Sequence, residues 1–378
     1  MKKLFFVIIL SLCVAQVRAQ ADKEILYVGT YSTRGSEGIY VYEFDRKGGT
    51  FQQVQTIAAK KSPNFLAIHP SGKFLYSVNG EAMEEMPNAG SVSAYAIDKS
   101  GQLTALNSKP SYGRGPCHIT VDQTGKWLVV SNYGEGNVSV LPILADGSLG
   151  AATDSVRFYG KSVNAQRQDK PHAHSATISP DNRFVLVADL GTDKINVYEI
   201  DLVHGKLKPA KKPFVSVTPG AGPRHLTFDP SGKHVYLAEE LTSTVGVFSY
   251  DKKTGGLTIM KDGVKSLPAD FTGSNTSADI HTDPQGKFLY MSNRGVNSLA
   301  IFSIDATGAL TLTGQQDVMG KIPRNFMVDA KNEYVFAANQ ETDNVVVFKK
   351  DLQSGKLTPT GVELKVPSPV CLKMLSVK

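Results

Sequence analysis

The chain has 378 residues, of which 41% are hydrophobic, and its formal net charge is +6. A chain of this length can bury a core without disulfides, and its three cysteines exclude the class of small disulfide-stapled domains. Its lysines are scattered over turns such as those at 71–73 and 285–287, which excludes the basic patch of a nucleic-acid-binding protein.

Residues 1–19 have the pattern of a secretory signal peptide. A basic pair at 2–3 precedes an apolar run at 4–14, and a small-residue cleavage site follows at 17–19. The apolar run is shorter than the roughly 20 residues that a membrane span needs. We therefore predict that the mature chain begins at Gln20, is exported to the periplasm or the cell exterior, and keeps no transmembrane segment.

A four-residue turn motif recurs along the rest of the chain, with Asp-Pro-Ser-Gly as its clearest copy. The copies lie at 69–72, 122–125, 179–182, 229–232, 283–286 and 329–332. The intervals between them are 53, 57, 50, 54 and 46 residues. A period of this size, with a β-rich run on each side of the turn, predicts a repeat of small antiparallel sheets.

Each unit contains two strands around the turn, a third strand, and a short fourth strand after a glycine-containing turn. This is the blade of a β-propeller. Six blades are whole, and the seventh is predicted to be split: residues 369–375 supply its first strand, and residues 25–31, 39–45 and 50–57 supply the other three. The fold class is therefore all-β, with residues 20–378 forming a single seven-bladed propeller. A β-sandwich or β-helix would leave the split unit unexplained.

The two cysteines that remain after signal cleavage, Cys117 and Cys371, fall in predicted strands two units apart, and we expect both thiols to be free. Cleavage also lowers the formal charge to about +3.

Strand direction predicts that every long insertion lies on one face, which we call the top face. The insertions are at 32–38, 81–90, 153–171 and 261–276. Binding loops commonly cluster on one side of a rigid scaffold in this way.

Alignment of the blades on their turns predicts which side chains meet at the top of the central channel. Arg224 stands eight residues before a turn glycine and Glu240 eight residues after it, so the two should be neighbours across the hairpin. The same register gives a central set of His174, Arg224, His225, Glu240 and Arg294, with His118, Tyr133 and Arg324 nearby. Such a concentration of ionisable groups predicts acid–base chemistry on an anionic ester or acid. The chain lacks a Gly-x-Ser-x-Gly elbow, so water is the expected nucleophile.

A second column of the alignment is nearly uniform and favours a structural role. It contains Asn79, Asn132, Asp189, Glu239, Asn293 and Asn339, short polar groups suited to fixing the loop after each second strand. The alternative is a calcium site made by Glu239, Asn132, Asn293 and Asp189. Two arginines at the same depth argue against a dication there, so we predict no metal and no cofactor.

Five further segments are distinctive, at 160–175, 189–194, 222–225, 240–241 and 292–295, and the most specific is Arg-Gln-x-x-Pro-His-x-His-Ser at 167–175. Together they resemble the seven-bladed propeller lactonase family, which includes the propeller type of 6-phosphogluconolactonase and the fungal carboxymuconate lactonising enzyme. The resemblance implies a central cleft in which His174, Arg224, Glu240 and Arg294 are catalytic.

The same resemblance adds Arg167 and His172 to the candidates, and the long loop that carries Arg167 suits a substrate clamp. The substrate-binding set is therefore predicted as His118, Tyr133, Arg167, His172, His225 and Arg324. The expected reaction is hydrolysis of a small, anionic sugar lactone, in which water attacks the carbonyl after activation by Glu240 or His174. A monomer or weak dimer is expected.

Two alternatives stay open at this point. One is lactonisation of an unsaturated diacid by the same groups, and the other is a non-enzymatic binding propeller. The predicted signal peptide favours a substrate other than 6-phosphogluconolactone. That lactone is an intracellular metabolite, and an exported protein would meet a different one.

Overall fold

The computed structural model describes residues 23–58 and 61–377, so the predicted signal peptide lies outside the described residues. Within these two ranges the regular elements are 28 β-strands arranged in seven four-stranded sheets. No helix in the described ranges is long and apolar enough to cross a membrane. The predicted all-β, seven-bladed architecture is confirmed.

The strands follow one another blade by blade around the ring. The N-terminal strands are β1 (Lys23–Thr30), β2 (Gly38–Asp45) and β3 (Thr50–Ala58). The first two whole blades are β4 (Phe65–Ile68), β5 (Phe74–Asn79), β6 (Ser91–Ile97), β7 (Leu103–Pro110), and β8 (Pro116–Val121), β9 (Trp127–Asn132), β10 (Asn137–Pro142), β11 (Asp154–Arg157). The next two are β12 (Ala173–Ile178), β13 (Phe184–Asp189), β14 (Lys194–Asp201), β15 (Lys206–Ser216), and β16 (Pro223–Phe228), β17 (His234–Glu239), β18 (Thr244–Tyr250), β19 (Leu257–Lys265). The fifth whole blade contains β20 (Thr276–Thr282), β21 (Phe288–Arg294), β22 (Ser298–Ile304) and β23 (Leu310–Asp317). The sixth contains β24 (Pro323–Val328), β25 (Tyr334–Asn339), β26 (Asn344–Lys350) and β27 (Leu357–Lys365). The last strand of the chain is β28 (Pro369–Val377).

The ring is closed by a blade that both ends of the chain share. Strand β28 pairs antiparallel with β1, from Lys23 opposite Val377 to Thr30 opposite Pro369, and β2 and β3 complete the sheet. The first strand of each sheet is innermost, and these strands pack side by side in the closed order β4, β8, β12, β16, β20, β24, β28 and back to β4. The split blade is therefore confirmed, and the innermost strands surround the central channel.

The recurring turn is stabilised by its own first and last residues. In the clearest copy the Gly232 N–H donates to the Asp229 carbonyl (2.9 Å), and the Asp229 carboxylate accepts the N–H groups of Lys233 and His234. Gly232 has a φ of 64°, a left-handed conformation that favours glycine. The corresponding Asn182 and Asn332 adopt φ values of 57° and 61°, which asparagine tolerates better than most side chains.

Buried aromatic side chains join neighbouring blades. Tyr27, Tyr76, Tyr236 and Tyr290 each donate their hydroxyl to a glycine carbonyl in the next blade, at 2.7–3.0 Å. All four are fully buried, so each hydroxyl needs such a partner. These inter-blade hydrogen bonds, which we call the tyrosine latches, fix the blades around the channel.

The outermost strands are where the sequence prediction was wrong. The insertion predicted at 153–171 contains β11, and the one predicted at 261–276 begins with the end of β19, which extends to Lys265. Outermost strands such as β19 are mostly exposed, so they have little apolar alternation to mark them. Cys117 and Cys371 are free thiols, as predicted.

Candidate active site

Four of the predicted site residues lie where innermost strands begin, at positions with a repeated irregularity in strand pairing. The pairing of the first and second strands shifts register between Ala173 and Ser175, between Pro223 and Leu226, and between Pro323 and Asn325. His174, Arg224, His225 and Arg324 fall inside these shifts. A β-bulge of this kind turns a side chain away from the regular alternation of a strand, and it directs these groups toward the channel.

Glu240 is the centre of the site and follows β17 directly. Its Oε2 lies 2.9 Å from Arg224 Nε and 3.2 Å from Arg294 Nη2, and its Oε1 lies 2.6 Å from Arg167 Nη2. The residue is only 3% exposed. Burial alone would raise the pKa of Glu240, but Arg294, Arg224 and Arg167 together lower it to about 2. Glu240 is therefore a fixed carboxylate surrounded by three guanidinium groups.

The structure brings together three of the four predicted catalytic residues in direct contact and places the fourth beside them. Arg224, which is 1% exposed, also donates to the Ala278 carbonyl, and Arg294 donates to the Ser277 carbonyl (2.8 Å). His174 Nε2 lies 3.9 Å from Glu240 Oε2. The neighbour relation predicted for Arg224 and Glu240 is confirmed.

Arg167 reaches the cleft from the long loop between β11 and β12. Its guanidinium bonds to Glu240 and lies 3.5 Å from the Tyr133 hydroxyl, while its side chain stays 38% exposed. The loop is anchored by the buried Gln168, whose Nε2 donates to the Leu190 carbonyl (2.9 Å). Arg167 therefore covers the carboxylate from the solvent side.

His174 is a buried, neutral imidazole. Burial lowers its pKa well below the usual value, and Arg224, His225 and Arg324 lower it further. Its Nδ1 has no hydrogen-bond partner among the described residues. The ring packs edge-on against Tyr133 and His225, with centroids 5.4 and 5.3 Å apart.

His172 and Tyr133 form one side wall of the cleft. Their rings stack at 4.3 Å, His172 Nδ1 lies 3.0 Å from the Tyr133 carbonyl, and the His172 N–H donates to the Asp189 carboxylate. His172 is thus held against the wall and does not contact Glu240. His118 lies deeper, where it packs on Phe65 at 4.4 Å.

Arg324 packs against Tyr31 at the cleft cavity. Its guanidinium carbon lies 5.2 Å from the centre of the Tyr31 ring. Across the described ranges, no acidic side chain forms an ion pair with it, in contrast to Arg167, Arg224 and Arg294. A small cavity is lined by His174, Arg224, His225, Arg324 and Tyr31, with Asn64, Phe65, Cys117 and Val370.

The near-uniform polar column has the structural role that was predicted for it. Asn132 and Asn339 donate to the carbonyls of Ser111 and Val318, and Asp189 accepts the N–H of Gly191 within its own blade. Each of these side chains has its own hydrogen-bond partner, and the side chains do not converge on a common point. In the residues that the structure describes, no three His, Cys, Asp or Glu side chains cluster as metal ligands.

Two participants were missed by the sequence reasoning. Asp279, on β20, accepts a hydrogen bond from His225 beneath the cleft, and Tyr31 contributes to the wall beside Arg324. The signal for Asp279 was available, since it occupies the same alignment column as His225. Tyr31 follows a strand of the split blade, which the turn-based alignment does not reach.

Comparison with known proteins identifies the family of the chain. A family described as "Lactonase, 7-bladed beta-propeller" matches residues 25–374. The chain belongs to this family. Over 355 residues it is 36% identical to a Bacillus subtilis protein named 6-phosphogluconolactonase, which covers 93% of this chain and 99% of that protein. The prediction of a propeller lactonase is confirmed at the level of the family.

Two solved structures are similar along nearly the whole chain. A protein from Lactobacillus plantarum has a TM-score of 0.86 and 36% identity, covering 94% of this chain and 100% of its own. A Pseudomonas aeruginosa protein described as a periplasmic gluconolactonase has a TM-score of 0.86 and 33% identity, with the same coverage. The similarity of fold therefore extends to a family member that is named as periplasmic.

Proposed function

We propose that this protein is a lactonase that hydrolyses a small, anionic sugar lactone in the central cleft. The observation that carries the proposal is the Glu240 carboxylate held by Arg167, Arg224 and Arg294 beside the cavity. Guanidinium groups fixed in a buried site can stabilise the oxyanion that develops when a lactone carbonyl is attacked. The relatives named 6-phosphogluconolactonase and periplasmic gluconolactonase support a sugar lactone as the substrate.

An anionic substrate follows from the charge of the cleft. Arg167, Arg224 and Arg294 share one carboxylate, and Arg324 has none among the described residues, so positive charge is in excess. Arginine binds carboxylate and phosphate groups through two parallel hydrogen bonds. Arg324, which lines the cleft cavity, is the group we propose to bind the acid group of the substrate.

The proton acceptor is a histidine rather than Glu240. A carboxylate whose pKa is about 2 is a weak base, and protonation would break its contacts with three arginines. His174 and His225 both line the cavity and are neutral at physiological pH, because burial lowers both pKa values. Glu240 then serves to hold the arginines, and water adds to the carbonyl while an imidazole takes its proton.

We also propose that the protein acts outside the cytoplasm. The predicted signal peptide and the similar protein named as periplasmic support this location. Expression of the full chain in a Gram-negative host, followed by fractionation, should yield mature protein with Gln20 at its N-terminus. Uncleaved protein in the cytoplasmic fraction would contradict the proposal.

Hydrolysis rates test the activity. Purified protein is assayed with 6-phosphogluconolactone and with unphosphorylated gluconolactone, and spontaneous hydrolysis is subtracted. Arg294→Met removes one candidate oxyanion donor and should lower kcat about 100-fold or more. Glu240→Gln should lower it comparably, because the arginines lose their anchor.

The matched control is Arg183→Met, which removes an exposed arginine at the turn face of the molecule and should leave the rate unchanged. Wild-type rates no higher than the spontaneous rates on both lactones would reject the lactonase proposal. Equal, elevated rates for wild type, Glu240→Gln and Arg294→Met would show that another part of the molecule carries the activity.

A further inference from the structure

A buried aspartate holds one of the histidines that line the cleft cavity. Asp279 is 2% exposed, and its Oδ1 lies 2.7 Å from His225 Nδ1 while its Oδ2 lies 2.9 Å from His281 Nε2. The Ile280 N–H donates to Oδ1, and the Asn325 side-chain amide donates to Oδ2. The arginine cluster makes no hydrogen bond or ion pair with this group of residues in the described ranges.

This arrangement fixes the protonation of both partners. A carboxylate that accepts four or more hydrogen bonds is stabilised in its ionised form. Although burial opposes it, contacts with His281 and His225 hold the pKa of Asp279 well below its usual range. An ionised Asp279 can only accept, so His225 must carry its proton on Nδ1. Nε2, on the other side of the ring, then has a free lone pair, and the ring lines the cleft cavity.

His225 is better prepared to accept a proton than the other candidates. Its new positive charge would lie 2.7 Å from the Asp279 carboxylate. His174 has no partner on Nδ1 among the described residues, and its nearest carboxylate oxygen is 3.9 Å away and already bound to Arg224 and Arg294. A histidine oriented by a buried carboxylate is a common general base, because the carboxylate sets the tautomer and stabilises the imidazolium.

We propose that His225 is the general base of the hydrolysis and that Asp279 is its positioning residue, an assignment that rests on the proposed lactonase function. His225 Nε2 takes a proton from water as the water oxygen bonds to the lactone carbonyl carbon. The carbon–oxygen bond of the ring then breaks, and the imidazolium returns the proton to the departing alkoxide. The product is the open hydroxy acid, and no co-reactant is needed.

Several charged or titratable groups surround His225 and determine its pH response. They are His118 on β8, His174 on β12, Arg224 on β16, and Asp279 and His281 on β20, while Arg324 on β24 lines the same cavity and Lys373 on β28 acts on the neighbouring His118. Burial and Arg224 lower the pKa of His225 to about 4, while Asp279 opposes them. Removing the carboxylate should therefore lower this pKa further and move the acid limb of the kcat–pH profile to lower pH.

The test compares Asp279→Asn and His225→Gln with wild type on whichever lactone the wild type hydrolyses. Both variants should lose kcat by about 100-fold or more while KM changes less than threefold. The residual activity of Asp279→Asn should show the shifted acid limb, which a loss of folding alone would not produce. The matched control is Asp283→Asn, another fully buried carboxylate of the same blade, paired with Lys350 and remote from the cleft.

Each outcome decides the assignment. A folded Asp279→Asn variant with wild-type kcat overturns it, and so does a His225→Gln variant that keeps its kcat. If Asp279→Asn does not fold, the His225→Gln result alone decides. Equal losses of kcat in Asp283→Asn and Asp279→Asn would also overturn it, since they would reflect general destabilisation. An inactive wild type rejects the proposed function itself, whereas an active wild type with unaffected variants rejects only the assignment of the base.

Discussion

Two adjacent glutamates have opposite protonation behaviour because their side chains lie in different environments. Glu240 faces the cleft and its three arginines, which lower its pKa to about 2. Glu239 lies inside the blade, where Thr244 donates to its Oε2 and Asp262 is its other neighbour. Burial, the hydrogen bond with Asp262 and the charge of Asp262 raise the pKa of Glu239 to about 9.

Both residues are nearly inaccessible, at 1% and 3% exposed, so burial alone does not explain the contrast. The deciding difference is the charge of the neighbours. The raised pKa favours the protonated form of Glu239, whereas the pKa of Asp262 stays below its ordinary value despite partial burial. Glu239, inside the blade, is therefore a neutral acid, whereas the next residue, Glu240, is a fixed carboxylate anion in the cleft.

The largest loss of stability should come from removing an arginine that neutralises Glu240 in the cleft. Arg224→Met removes the most deeply buried guanidinium and leaves Glu240 less compensated. Removing one partner of a buried ion pair costs about 3–5 kcal/mol of unfolding free energy. Denaturant unfolding should show this loss for Arg224→Met. A smaller loss is expected for Arg167→Met, since that side chain is 38% exposed.

The double variant Arg224→Met/Glu240→Gln provides the control for this experiment. Glutamine keeps the shape of Glu240 without its charge, so the double variant should recover part of the stability that Arg224→Met loses. Strict additivity of the two single losses would mean that Arg224 and Glu240 do not stabilise each other, and the contrast between the glutamates would lose its explanation.

A second experiment compares the pH dependence of the two glutamates. The folded-state pKa of Glu239 is raised, so its contribution to stability is complete below about pH 4.5 and is lost as the pH rises toward 9. Relative to wild type, Glu239→Gln should therefore gain stability across this range, by about 1–3 kcal/mol. Thermal unfolding at pH 5 and pH 9 measures the difference.

Glu240→Gln should show the opposite trend. The pKa of Glu240 is lowered, so its contribution is present above about pH 4.5 and is lost as the pH falls toward 2. The stability difference between wild type and Glu240→Gln should accordingly shrink on acidification. Parallel pH profiles for Glu239→Gln and Glu240→Gln would contradict the assigned environments.

The sequence predicted the fold well because its signal is repeated. The turn motif at 229–232 occurs six times. Five copies fix the same hairpin through an aspartate or serine at the first position, the copy at 69–72 has a histidine there, and all six end on a left-handed glycine or asparagine. Strands β11 and β19 were misjudged because an exposed edge strand buries too little to impose a pattern. Repetition of the turn motif thus compensated for weak strand patterns everywhere except in the outermost strands of the blades.

The site was only partly predictable. Register was enough to bring Arg224 beside Glu240, and the family motif supplied Arg167. The β-bulges that turn His174 and His225 into the channel leave no mark in residue spacing, so the depth of each side chain could not be read from the alignment. Asp279 shares an alignment column with His225, but its role depends on a side-chain contact with His225 on the neighbouring blade, which the alignment does not show.

The smallest predicted effect concerns the tyrosine latches, which distinguish the stability of the scaffold from the chemistry of the cleft. Tyr236→Phe removes the hydroxyl that donates to the Gly308 carbonyl at 3.0 Å and leaves the ring in place. The expected loss is about 1 kcal/mol of unfolding free energy, since a single neutral hydrogen bond is removed. Tyr290→Phe repeats the test one blade further on, with a bond to Gly355. Both variants should keep wild-type kcat, because neither latch contacts the cleft, and a drop in kcat without a loss of stability would show that the blades transmit strain to the site.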